Sequence, residues 1–244
     1  MQSKVVSSKR RNLIVVRAGD ESLHPKWLEN STNRNFDVFI SYYGMGPRKF
    51  NDQAEYYECV PGLKWPAIAS MLKENNDLLL SYEACWFPDD DLLTNGENIG
   101  KMFDLFHEHN LWLAQPALGS GSFMTYPGIA QNEEMKLRYT GFVEIMCPIF
   151  SRHALTVLGS TFEEAATGWG LDFLWAHLLK YPKDKMAIID ETPVIHTRPV
   201  GAGSFYLECE KRKVNAREDM LRIFKQHGIE WQPDISVHNS VPRD

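Results

Sequence analysis

The chain lacks several things, and each absence removes a class of function. It has no G-x-G-x-x-G and no G-x-x-x-x-G-K-[ST] run, so neither a dinucleotide-binding loop nor a P-loop is indicated. It has no apolar stretch of roughly 18 residues, and residues 1–11 are polar and basic, so neither a membrane span nor a signal peptide is supported. Cysteine is scarce: Cys59, Cys85, Cys147 and Cys209 lie far apart with no C-x-x-C pair. That argues against a structural zinc and for reduced thiols in a cytoplasmic protein. Positive charge is not in excess either, the formal net being -6, which speaks against nucleic-acid binding through phosphate neutralisation.

What is present suffices for a core, with 43% hydrophobic and 12% aromatic residues. Strand-like and helix-like stretches alternate, which predicts an α/β fold. Residues 12–17 form an apolar run that empties into Ala18-Gly19-Asp20. As a buried first strand, it would bring Arg17 and Asp20 to the sheet edge where such folds take ligands. A short helix over 25–29, a strand over 36–43 and a short strand over 56–60 follow. A helix opens at Gly62-Leu63-Lys64-Trp65 and runs through Ile68, Met71 and Leu72. Lys64 sits at its start, where the helix dipole disfavours a cation, so it is either solvated or compensated by an anionic ligand. Residues 77–83, centred on Leu78-Leu79-Leu80, read as a strand, 97–109 as an amphipathic helix, 111–115 as a strand and 119–135 as a flexible loop or lid.

Chemistry-bearing residues gather at four places. Asp89-Asp90-Asp91 are hard oxygen ligands at a strand end, either a divalent-cation site or a solvated turn. Glu144, inside an apolar run read as a strand over 140–152, faces either a substrate cavity or solvent. In Thr167-Gly168-Trp169-Gly170-Leu171-Asp172, ahead of a helix over 173–180, the glycines permit close backbone approach and Trp169 offers a stacking face. Asp172 is there either a helix-terminus partner or a general base. After a strand over 186–190 come His196 and Arg198, the latter suited to holding phosphate. A C-terminal helix over 216–227, with Met220, Leu221 and Phe224 on one face, packs on the core or serves a homodimer or membrane-surface contact. The tail over 231–244 is expected to be loosely ordered, and Lys9-Arg10-Arg11 to be a frayed start able to touch an anionic bilayer.

The strand order, the Asp-rich element, the G-W-G-x-D helix start and the late histidine together resemble the GT-A class of nucleotide-sugar glycosyltransferases. More closely, Gln115-Pro116-Ala117-Leu118, Gly141-Phe142-Val143-Glu144-Ile145-Met146, Gly168-Trp169-Gly170-Leu171-Asp172 and Val194-Ile195-His196 resemble a domain of unknown function. That domain is found in plants and bacteria and was once labelled lysine-ketoglutarate-reductase trans-splicing related. The resemblance implies a GT-A-like (Rossmann-like) open mixed sheet, mostly parallel and flanked by helices. Residues 12–204 would form the catalytic domain, 1–11 a flexible N-terminus and 205–244 a helix and tail packed on the same domain. It further implies that Asp89, Asp91 and His196 hold Mn2+ or Mg2+ and that Asp90 and Lys64 meet the donor, alongside Arg17, Asp20 and Arg198. Asp172 would deprotonate an acceptor lined by Glu144, Trp169 and Gly170. Phe87-Pro88 ahead of the acids and a shortened loop before Tyr139 depart from the plant pattern.

The implied activity is metal-dependent transfer of a sugar from a nucleotide-diphosphate sugar to a hydroxyl on a glycan or other acceptor. The transfer is expected to invert the anomeric centre and to serve bacterial surface-glycan synthesis, in the cytoplasm or at the inner face of the membrane. The alternatives are a non-catalytic GT-A-like module that binds a glycan or a partner, and a nucleotidyltransferase. The lack of a glycine-rich basic loop after the first strand argues against the last.

Overall fold

The two apolar runs nearest the start of the chain become the middle of a sheet. In a computed structural model, which describes residues 2–3, 9–29, 31, 33–199, 204–230 and 236–243, the first half of the chain gives strands β1 (Gln2–Ser3), β2 (Asn12–Ala18), β3 (Phe36–Tyr42), β4 (Tyr56–Cys59), β5 (Ala84–Trp86) and β6 (Leu92–Leu93). Helices α1 (His24–Leu28), α2 (Lys64–Glu74), α3 (Asn76–Leu80) and α4 (Gly96–Glu108) lie between and after them. The second half adds β7 (Leu113–Leu118), β8 (Met135–Thr140), β9 (Ile149–Ser151), α5 (Arg152–Leu158), α6 (Leu171–Leu178), β10 (Met186–His196), α7 (Ser204–Arg212), α8 (Ala216–His227) and β11 (Val237–Pro242).

The sheet order is β1-β4-β3-β2-β5-β9-β7-β10-β8-β11, with β6 paired to β10. Strands β4, β3, β2 and β5 run parallel. Every residue of β2 and β3 is buried, as expected of parallel strands covered on both faces. Strand β9 enters antiparallel between β5 and β7, while β7 and β10 are parallel and β8 and β11 antiparallel additions. The fold is thus an open mixed α/β sheet flanked by helices. No described helix is long and apolar enough to cross a membrane.

Four expectations are corrected. Residues 77–83 are not a strand: Asn76–Leu80 are helical, and the strand beside β2 is Ala84–Trp86. The run over 140–152 is not continuous, because β8 ends at Thr140 and β9 begins at Ile149, with Gly141 and Pro148 in the loop between them. The tail over 231–244 contains β11, paired with β8 from Val237 to Pro242; residues 231–235 and 244 lie outside the described residues. The basic start is anchored: Lys9 donates to the Ser81 carbonyl, Arg10 pairs with the fully buried Asp37 at 2.7 Å, and Arg11 pairs with Glu83 at 2.8 Å.

Behind the sheet's ligand edge lies an aromatic nest. Trp65 packs against Phe162 and Trp175 at ring separations of 4.9 and 5.0 Å, and Phe150 meets Trp175 at 4.9 Å. Gly168, at φ +86°, lies so close to Trp65 that a Cβ would come within 2.1 Å of the indole. This glycine serves core packing rather than ligand approach. Helix α8 buries Met220, Ile223 and Phe224, with Leu221 left 49% exposed, so Ile223 takes the inward place expected of Leu221. Phe224 packs on Phe173 of α6 at 5.4 Å, and Asp219 accepts from the amide and hydroxyl of Thr167, both at 2.9 Å. The C-terminal helix therefore braces the loop that delivers Asp172.

Candidate active site

The carboxyl ends of β2, β3 and β5 meet at one edge, which in open α/β sheets is the ligand edge. After β5, Pro88 restricts Phe87 to extended backbone, and the acids that follow are held by main-chain bonds. The Asp89 amide donates to the Met146 carbonyl at 2.9 Å, and the Leu23 amide donates to the Asp90 carbonyl at 2.7 Å. The Thr197 hydroxyl bonds the Asp91 carbonyl at 2.8 Å, tying the triplet to the end of β10.

Each acid of the triplet has its own basic partner. Lys64 Nζ bonds Asp89 Oδ1 at 2.6 Å and the carbonyls of Met146 and Ile145 at 2.9 and 3.1 Å. The lysine at the start of α2 is therefore compensated, and by this chain's own oxygens. Asp90 is buried; its Oδ2 accepts from the Gly19 amide at 2.7 Å and its Oδ1 pairs with Arg198 at 3.2 Å. Burial nonetheless pushes its carboxyl up to about 6, with Asp91 and Asp89 adding to the rise. Asp91 faces His196, Oδ2 to Nε2, at 3.4 Å.

The His196 ring is oriented from behind. Its Nδ1 lies 2.7 Å from the Phe123 carbonyl, which only accepts, so the hydrogen-bond network assigns the proton to Nδ1. A neutral ring would then turn the Nε2 lone pair toward a carboxylate. A proton or a metal ion between the two groups would relieve that contact. Burial opposes the protonated ring, but the Asp91 carboxylate, the Phe123 carbonyl and the Asp89 charge together outweigh it and raise the imidazolium's pKa.

Among the described residues no group of three or more His, Cys, Asp or Glu forms a ready-made chelate. The donor set still fits a hard divalent ion. Magnesium is commonly bound by one or two carboxylates and completed by substrate phosphates and water. Asp91 Oδ1 is buried with no hydrogen-bond partner, an oxygen oriented and unused beside the His196 ring. Asp91 and His196 are the pair that fits. Asp89 has one oxygen committed to Lys64.

The second group of acids lies where the 141–148 loop meets the start of α6. The Glu144 amide is fixed by Gln115 Oε1 at 2.6 Å, and its carboxyl Oε2 is buried without a partner. Asp172 is 4% exposed, with Oδ1 accepting from the Phe173 amide at 3.1 Å. Burial pushes Glu144 up to about 7, helped by the Asp89 charge, and pushes Asp172 up to about 8, helped by Glu144. Glu144 thus faces inward rather than to solvent.

Other expected site residues are engaged elsewhere. Arg17 is buried, donating to Ser41 Oγ at 2.7 Å and the Gly62 carbonyl at 2.8 Å, and burial lowers its guanidinium to about 10. Asp20 accepts from the Tyr42 hydroxyl and the Met45 amide, which hold its carboxyl below the usual range. Gly170, at φ +93°, backs onto Met220 of α8, where a Cβ would lie 3.0 Å from the Met220 Cα. Trp169 stands 37% exposed beside it. Residues missed in the sequence are Tyr43, whose ring covers Arg17 at 5.3 Å, Gln115, Phe123 and Tyr126. For the last two the only signal was aromatics inside a segment otherwise rich in Gly and Ser.

The family model described as "Protein of unknown function (DUF707)" matches residues 64–234. No curated protein matches the sequence. Among solved structures, S. aureus TarS, a GT-A glycosyltransferase, is similar with a TM-score of 0.51 at 12% identity, covering 91% of this chain and 44% of its own. A structure of TarS 1-349 gives 0.48 at 9%, covering 93% and 67% respectively. The chain spans less than half of the first TarS chain, and the likeness is one of fold, which is GT-A-like.

Proposed function

The chain belongs to the DUF707 family, and on that premise we propose that it is a metal-dependent glycosyltransferase, moving a sugar from a nucleotide-diphosphate sugar to a hydroxyl acceptor. The observation that carries the reading is the unpartnered, buried Asp91 Oδ1 beside His196, on the ligand edge of a GT-A-like sheet. A divalent ion held there by Asp91 and His196, with Asp89 nearby, would stabilise the charge that builds on a departing diphosphate. Arg198 and Lys64 add positive charge around the same phosphates, and Asp90, fixed by the Gly19 amide, faces the donor's ribose or sugar.

Asp172 takes the acceptor proton. Its carboxyl, raised to about 8, is a stronger base than an ordinary aspartate, and its ionised fraction grows as pH approaches that value. One base acting on the acceptor gives a single displacement with inversion, by analogy with inverting glycosidases. The test is incubation with Mn2+ and a panel of uridine, guanosine, adenosine and cytidine diphosphate sugars. Release of nucleoside diphosphate from one of them, lost in Asp91→Asn, is expected; no release and no binding with any of them would refute the reading.

One observation favours a second reading, a non-catalytic module that binds a glycan or a partner: Lys64 already occupies an oxygen of Asp89. On that reading, ligand binding survives both Asp172→Asn and Asp89→Ala.

A further inference from the structure

The segment over 119–135, expected to be a flexible loop or lid, is pinned from Gly119 to Gln131. The Gly119 amide bonds the Val194 carbonyl at 2.8 Å, the Gln131 amide bonds the Leu118 carbonyl at 2.9 Å, and Gln131 Nε2 reaches the Asp190 carbonyl at 3.0 Å. In the middle, Phe123 is clamped to His196 by two main-chain links. Its amide donates to the His196 carbonyl at 3.1 Å, and its own carbonyl accepts from His196 Nδ1 at 2.7 Å. Its side chain is left 44% exposed, a large apolar surface on a backbone that has little freedom.

Three residues on, the Tyr126 ring packs on Phe142 at 4.8 Å, and Phe142 packs on Phe173 at 5.2 Å. Phe142 lies two residues before Glu144, and Phe173 directly follows Asp172. Burial first, and then Asp172 and Glu144, raise the Tyr126 phenol above its ordinary pKa, so its hydroxyl keeps its proton. The segment thus runs from the back of His196 to the buried acids. Phe142 and Phe173 link Tyr126 to the backbone that carries Glu144 and Asp172, and Glu144 Oε2 is buried with no partner.

We propose that Phe123, Tyr126 and Glu144 form a saccharide subsite, and that the acceptor is a carbohydrate hydroxyl rather than a lipid or peptide one. A sugar ring offers a C–H face and a rim of hydroxyls. The rigid exposed Phe123 ring suits the face, while the Tyr126 hydroxyl and Glu144 carboxyl suit the rim. A lipid would need a continuous apolar channel, whereas here one exposed aromatic face lies three residues along a pinned segment from a phenol, with a partnerless carboxyl oxygen on Glu144, groups that demand hydrogen bonds. The assignment of this sugar as acceptor rests on the transferase reading, because it takes Asp172 as the base.

The test uses the full chain and saturation-transfer NMR with the methyl glycosides of glucose, galactose, N-acetylglucosamine and N-acetylmannosamine, without nucleotide or metal. In parallel, calorimetry follows uridine, guanosine, adenosine and cytidine diphosphates with Mn2+. At least one glycoside is expected to bind through its ring protons. Phe123→Ala should weaken it about tenfold or more, on the scale of losing one stacked aromatic face. Tyr126→Phe and Glu144→Gln should each weaken it less, with nucleotide binding and the melting temperature unchanged in Phe123→Ala. Absence of glycoside binding, or binding indifferent to Phe123→Ala, overturns the subsite. Equal loss of glycoside and nucleotide binding in Phe123→Ala overturns the acceptor assignment and moves Phe123 to the donor side. If the wild-type chain binds a glycoside but no nucleotide, the transferase reading fails and the saccharide subsite stands.

Discussion

Two groups of acids line the site, and they are balanced in opposite ways. On the strand-end side, Asp89, Asp90 and Asp91 each face a basic side chain, Lys64, Arg198 and His196 respectively. On the loop side, Glu144 and Asp172 are buried and, among the described residues, neither forms an ion pair. Charged acids with countercharges make a place where one cation can be exchanged for another, a proton for a metal. Acids without countercharges hold their protons until the pH is high or a substrate takes their place. The first arrangement suits binding phosphate and metal, and the second suits proton transfer.

The sharpest way to break this contrast is Asp172→Asn. As a base it should account for about 10²- to 10⁴-fold in turnover. The amide removes that capacity without altering the strand-end charges, so nucleotide binding should be unchanged while transfer is lost. Steady-state transfer assays beside calorimetry separate the two, and an equal loss of both would merge the two groups.

Lys64→Met probes the opposite side. It leaves Asp89 and two carbonyls without their donor, and should destabilise the fold by about 1–2 kcal/mol, a figure discounted because Asp89 is 39% exposed. Thermal unfolding should fall by several degrees, on the order of 2–4 °C per kcal/mol for a chain of this size. Freed from the lysine, Asp89 should tighten Mn2+ binding, which a metal titration reads.

The smallest effect expected is a slope. Glu144 and Asp172 titrate near about 7 and about 8 in the folded chain and at ordinary carboxylate values when unfolded. Between those limits the folded state holds more protons than the unfolded one, so stability falls as pH rises from about 5 to 9. Glu144→Gln removes one of these protons and lowers the other acid's pKa, so urea midpoints across that range should decline less steeply than in the parent. A parent whose stability rises with pH across the window would contradict the burial of these acids.

Much of the fold was legible because the strongest signals are local. Helix α8 runs over 216–227 as expected, with Asn215 capping its first turn and Gly228 in the left-handed region closing it. Residues 77–83 misled because Leu78-Leu79-Leu80 is a short apolar run, and periodicity alone cannot tell a buried strand from one turn of buried helix. The antiparallel insertion of β9 and the late pairing of the polar β11 depend on contacts between residues far apart in sequence.

The same division holds in the site. The acidic triplet and His196 could be named because their residue types are rare in such positions. The partner of each acid could not, since Lys64 is 25 residues from Asp89 and Arg198 is 108 from Asp90. The partners of Arg17 and Asp20 were hidden for the same reason: both stand at the ligand edge, where Ser41 and Gly62 accept from the Arg17 guanidinium and Tyr42 and Met45 donate to Asp20. Phe123 and Tyr126 matter only because the segment carrying them is fixed to His196 and Phe142.

The central claim is that Asp91 and His196 hold a divalent cation completed by the donor's diphosphate. Calorimetric titration of nucleoside diphosphates into the wild-type chain and Asp91→Asn, each with and without Mn2+, tests it most directly. The account predicts binding of one nucleotide that requires Mn2+ in the wild type and falls at least about tenfold in Asp91→Asn, the equivalent of about 1.4 kcal/mol. Nucleotide binding that is indifferent both to the metal and to Asp91 would contradict it.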